Sequence, residues 1–109
     1  MAVAFEMRFE GATLEQYDQV MELMGLMDGT NKPEGAIFHW VAKTDDGIVV
    51  VDVWESDEQF NHFAETQIGP YTQQVGIPAP PVITRYEVHN TLVGEAAANH
   101  PGSFARAIS

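Results

Sequence analysis

The chain has 109 residues, no cysteine, and sixteen acidic against five basic side chains, a formal net charge of −11. A chain of this length makes one domain that buries roughly 65% of its unfolded surface without a disulfide or metal staple. The missing cysteines exclude disulfides, thiolate catalysis and Cys-ligated zinc, and the charge repels phosphate backbones and anionic membranes, so neither nucleic acid nor a membrane is an expected partner. No calcium-loop, P-loop or His-Glu-x-x-His pattern occurs, and no metal is expected. No apolar run nears the ~20 residues of a bilayer span and no apolar leader follows a basic start, which points to a soluble, cytoplasmic protein.

Ala2 to Phe9 alternates, with Val3, Phe5, Met7 and Phe9 on one side and Ala4, Glu6 and Arg8 on the other, as a strand with one buried face does. Gly11 ends it. Thr13-Leu14-Glu15-Gln16 is a capping-box signature, in which the Thr13 hydroxyl accepts from a free helix amide and the Gln16 side chain reaches back. In the helix that follows, Leu14, Tyr17, Val20, Met21 and Met24 form an apolar stripe that stops near Gly25. Met21, Met24 and Met27 read as core filler. Gly29 to Gly35 is a loop.

Ile37-Phe38-His39-Trp40-Val41-Ala42 and Ile48-Val49-Val50-Val51-Asp52-Val53-Trp54 are rich in β-branched and aromatic residues and flank Thr44-Asp45-Asp46-Gly47, the pattern of a β-hairpin. If Lys43 pairs with Ile48, His39 lies opposite Asp52 with Cβ atoms about 5 Å apart. A two-residue turn at Asp46-Gly47 pairs His39 with Trp54 instead and makes Asp52 a diagonal neighbour. Either even-length loop gathers His39, Asp52 and Trp54 on one face, whereas an odd loop or a bulge separates His39 from Asp52.

Ser56-Asp57-Glu58-Gln59 repeats the capping logic and opens a second helix with Phe60, Phe63, Ala64 and Ile68 facing inward. Gly69-Pro70 is expected to break it, with a short helical turn over Tyr71 to Val75 and an extended connector over Pro78 to Pro81. The last strand runs from Val82 to His89, with Val82, Thr84, Tyr86 and Val88 against Ile83, Arg85, Glu87 and His89. Glu6 and Arg8 either enter a pocket or pair with Arg85 and Glu87 across neighbouring strands. Residues 1–93 form the domain, and residues 94–109, with no apolar period, read as a flexible tail or an arm on a neighbouring subunit.

The order strand, helix, strand, strand, helix, strand is the split βαβ, or ferredoxin-like, α+β arrangement, with helices on one face of an antiparallel sheet. Its other face carries Phe38, Trp40, Val49, Val51 and Val53, more apolar surface than a monomer exposes, so a homodimer is expected.

Several segments carry a family likeness: Gly11-Ala12-Thr13-Leu14-Glu15-Gln16-Tyr17, Pro33-Glu34-Gly35 ahead of Ile37-Phe38-His39, Val51-Asp52-Val53-Trp54-Glu55-Ser56, Gly69-Pro70, and Glu87-Val88-His89-Asn90. Through them the span from Ala2 to Asn90 resembles the dimeric α+β barrel superfamily, and within it the antibiotic-biosynthesis-monooxygenase-like (ABM-like) proteins. The superfamily hosts oxygenases, isomerases, cyclases and haem-degrading enzymes. The resemblance implies a pocket between sheet and helices, lined by the tryptophan matching Trp54 and hence by Asp52 and His39. Many relatives place a histidine on the second helix at the register that here holds Phe63 and Ala64, with His62 adjacent, a departure that argues against haem degradation.

A carboxylate that accepts the imidazole N–H fixes the tautomer and makes the other ring nitrogen more basic, so His39 with Asp52 is a candidate general base. Trp54 can stack on a flat apolar ligand, Phe63 and His62 lie beside it on the second helix, and Tyr71 can cap the pocket mouth. His89 and His100 read as solvated. In a cofactor-independent monooxygenase the base deprotonates a small aromatic or polyketide-like phenol, and the resulting anion itself reacts with dioxygen, with no cofactor. In a cofactor-free isomerase or cyclase it removes a proton beside a carbonyl. A non-catalytic small-molecule-binding dimeric module is the third possibility, in which His and Asp are only a satisfied polar pair.

Overall fold

The first alternating segment forms strand β1 (Val3–Glu10), its Val3, Phe5, Met7 and Phe9 side chains buried. The computed structural model describes residues 1–96, so the expected tail, from residue 97 on and with it His100, lies outside the described residues. Helix α1 (Leu14–Met24) opens with the complete Thr13/Gln16 capping box and closes on Gly25, whose φ of +74° puts it in the left-handed region that glycine tolerates. Tyr17, Val20 and Met24 are buried, but Leu14, expected on the same stripe, is exposed in the first turn.

Strands β2 (Ala36–Lys43) and β3 (Gly47–Trp54) form the hairpin in the register that pairs Lys43 with Ile48 and His39 with Asp52. The Thr44 amide also donates to the Gly47 carbonyl at 2.9 Å, which tightens the reversal onto Asp45 and Asp46. At Gly47 the chain passes so close to β1 that a Cβ would sit 2.0 Å from the Phe9 carbonyl oxygen, so glycine is required there. A bulge between Ala36 and Phe38 sets Trp54 opposite Ala36.

Helix α2 (Asp57–Phe63) starts at Ser56, whose hydroxyl accepts from the Gln59 amide. The expected break at Gly69-Pro70 does not occur. A five-residue π-helical stretch, Ala64–Ile68, carries the chain into α3 (Gly69–Gln74). The Gly69 amide donates to the Ala64 carbonyl across the π turn, and Pro70 falls in the first turn of α3.

Strand β4 (Val82–Glu87) pairs with β1, giving the antiparallel order β2-β3-β1-β4 of a ferredoxin-like α+β fold. Register puts Ile83, Arg85 and Glu87 opposite Met7, Phe5 and Val3, whereas Glu6 and Arg8 point to the other side and pair with each other at 3.1 Å. The cross-strand ion pairs between these two sets are therefore not formed. Arg85 instead forks onto Asp57 at the start of α2, with N–O distances of 2.6 and 2.9 Å.

The Arg85 hydrogen bonds hold the Asp57 carboxyl below its ordinary range. A depressed carboxyl contributes stability that is complete above the ordinary carboxylate range and is lost as pH falls through the folded-state value. Wild type and Arg85→Ala are therefore expected to differ in urea midpoint near neutrality and to converge in acid. A gap that persists in acid would assign the difference to packing of the Arg85 stem.

The helices cover the face made by Val3, Phe5, Met7, Phe9, Ile48, Val50 and Trp54. Phe5 stacks on Phe60 with centroids 3.8 Å apart, and Trp54 meets Phe60 edge-on at 6.2 Å. On the opposite face Phe38, Trp40, Val82 and Tyr86 are exposed. Among the described residues no helix is long and apolar enough to cross a membrane.

Candidate functional site

The hairpin register places three polar-edged side chains at one spot on the helix-facing side of the sheet. Asp52, the one buried charged residue among those described, is 5% exposed and accepts two hydrogen bonds. Its Oδ1 takes the His39 Nδ1 proton at 2.6 Å and its Oδ2 takes the Trp54 indole N–H at 3.1 Å. A carboxylate only accepts, so the His39 proton belongs on Nδ1. Nε2 then meets the hydroxyl of Tyr17, reaching down from α1 in direct hydrogen-bond contact, with the two rings nearly parallel at 11°. The result is a continuous chain from Tyr17 through His39 and Asp52 to Trp54. Burial first, and then the charges of Asp52 and Asp18, push the Tyr17 phenol well above its ordinary value.

This chain forms one wall of a cavity of about 630 Å³ between the sheet and the helices, a volume that suits a small organic ligand. Tyr17, His39, Asp52 and Lys32 are the titratable side chains lining it among the described residues. The rest of the wall is largely apolar: Phe9, Ile48, Val50, Trp54, Phe63, Ile68 and four methionines, Met7, Met21, Met24 and Met27. No group of three or more His, Asp or Glu side chains among the described residues is arranged to hold a metal ion.

No protein-family model matches the sequence, and no curated protein matches it either. Solved structures do. A protein of unknown function from Nitrosomonas europaea aligns with a TM-score of 0.65 at 16% identity, over 85% of this chain and 94% of that one. SnoaB, a cofactor-independent oxygenase from Streptomyces nogalater, aligns at 0.57 and 18% identity, over 84% and 96%. The monooxygenase from the gene ActVA-Orf6 of Streptomyces coelicolor, solved with the ligand Nanaomycin D, aligns at 0.54 and 16% identity, over 86% and 92%. The chain has the fold of the ABM-like proteins.

On this ABM-like fold the expected site residues fall into two groups. His39, Asp52, Trp54 and Phe63 converge on the cavity. His62 does not: it is exposed on α2 and borders an adjoining groove of about 390 Å³, which shares Lys32, Pro33, Trp54 and Phe63 with the cavity. Tyr71 is half-buried, packs against the core and lines neither space. His89 is exposed. Tyr17 is the polar member of the site that the sequence does not single out, whereas Met21 and Met24 pack on the core as expected and, with Met27, also line the cavity. A buried tyrosine needs a partner for its hydroxyl, and that need was the available signal.

Proposed function

We propose that the chain is a cofactor-independent monooxygenase-type enzyme acting, as a homodimer, on a small, flat phenolic or polyketide-like molecule. The observation that carries this reading is the Asp52-oriented His39 on the wall of an otherwise apolar cavity. An oriented imidazole ionises the phenol, and the apolar surroundings leave the electron-rich anion to react with dioxygen. A C–O bond forms at an activated methylene, and breakdown of the resulting hydroperoxide releases water and leaves a carbonyl. The balance is CH2 + O2 → C=O + H2O. Trp54 and the methionines supply stacking and soft, adaptable contacts for a planar ring system. The oxygenase description of SnoaB and the ligand held by the ActVA-Orf6 protein support the same reading. The exposed Phe38, Trp40, Val82 and Tyr86 side chains support a second copy packing on the open sheet face.

Oxygen uptake with 1,8-dihydroxyanthrone, a flat phenol with an activated methylene, tests the activity. The wild type is expected to consume oxygen well above spontaneous oxidation, and His39→Gln to lower that rate by about 10²-fold or more. Turnover without oxygen consumption would point to the isomerase or cyclase reading, and tight binding without turnover to a binding module.

A further inference from the structure

As a base, the His39/Asp52 pair has no open end. Nδ1 is held by Asp52 and Nε2 by the Tyr17 hydroxyl, so a phenol entering the cavity finds both ring nitrogens of His39 already hydrogen-bonded. Both Tyr17 and His39 line that cavity, and Tyr17 comes from a different element, α1, buried to 4% exposure. We propose that Tyr17 is itself a catalytic residue, a proton conduit that takes the substrate's hydroxyl proton on its oxygen while passing its own proton to His39 Nε2. The inference rests on the phenol-binding reading above and identifies which atom receives the proton.

The chemistry is balanced and involves no electron transfer. The substrate O–H bond breaks, the Tyr17 O–H bond is remade with the substrate's proton, and an N–H bond forms at Nε2. The products are a substrate anion and an imidazolium whose Nδ1–H stays on Asp52. A phenol oxygen carries one proton and two lone pairs, so it can accept from one side while it donates to the other. Tyr17 is suited to pass the proton and not to store the charge, because its burial and the neighbouring carboxylates disfavour a resident phenolate. Asp52 supplies the opposite preference at the far end, where it stabilises the imidazolium as that forms.

4-Nitrophenol tests the conduit without requiring turnover, since its anion absorbs in the visible. The probe is added at a pH where the free phenol is mostly neutral, and occupancy is set by equilibrium dialysis. The wild type is expected to show bound anion. Once the proton has passed, the Tyr17 hydroxyl donates to the bound anion, so Tyr17→Phe, which keeps the ring and its packing, is expected to lower the ionised fraction about tenfold at equal occupancy, and His39→Gln to remove it. If Tyr17→Phe ionises the probe as the wild type does while His39→Gln does not, the conduit is overturned and His39 remains the direct base. If His39→Gln also ionises it normally, the base reading fails and the conduit with it. Absence of probe binding to the wild type would overturn both.

Discussion

Asp52→Asn is expected to lower turnover by about 10²- to 10⁴-fold while leaving ligand affinity nearly unchanged. Asp52 satisfies two donors at once, the His39 Nδ1–H and the Trp54 indole N–H. An amide offers one oxygen and one NH2, so it cannot accept both. If the amide oxygen stays on the indole, the NH2 group faces Nδ1 and drives the His39 proton to Nε2, the tautomer that cannot accept from Tyr17. If the amide turns over, the indole N–H is left buried without an acceptor, at about 1–3 kcal/mol of stability. Nitrogen-15 NMR of the His39 ring reads the tautomer, and oxygen-uptake kinetics read the loss. A His39 ring with unchanged nitrogen shifts in Asp52→Asn would remove the carboxylate from the mechanism.

If the proposed homodimer packs through the open sheet face, Val51→Asp is expected to yield monomer or aggregate. Val51 lies on the open face of the sheet, between Trp40 of β2 and Glu6 of β1 in the strand register. In an isolated subunit it is only half-buried, so the new carboxylate can reach water and the fold should survive. Against a second apolar face it becomes a buried, unpaired charge with Glu6 beside it, at several kcal/mol. Sedimentation velocity distinguishes the outcomes, with Val51→Ala as the control that keeps the assembly. An intact Val51→Asp dimer would take this face out of the interface.

The parts of the molecule that were legible in the sequence are those governed by period and by even or odd counting. The alternation of Val3, Phe5, Met7 and Phe9 and the Thr13 and Ser56 caps define the element order. An even hairpin loop forces His39, Asp52 and Trp54 onto one face whichever even turn forms, and the Lys43–Ile48 pairing sets His39 directly opposite Asp52. What was not legible depends on how elements meet. Helical periodicity marks Tyr17, Met21 and Met24 as facing inward, but it cannot say whether inward means packed core or cavity wall. Gly69-Pro70 looked like a terminator because a proline lacks a donor, and only a π-helical stretch ahead of it makes the continuation possible. Glu6 and Arg85 sit on neighbouring strands, but the β1–β4 register sends them to opposite faces.

The hairpin supplies His39, Asp52 and Trp54 from two adjacent strands, and contacts of such short range assemble early and with little loop entropy to overcome. The wall facing them is drawn largely from elsewhere, including the methionines of α1 and the loop after it. Acid–base competence and ligand shape are thus encoded in separate stretches of chain. Point changes at Met21, Met24 or Met27 can recut the chamber for a different guest while the strand pair to which the proton chemistry is assigned above is inherited intact. Tyr17 is the exception among the described residues: a helical position whose side chain both lines the chamber and touches His39, so that on the proposed mechanism a change there would alter shape and chemistry together.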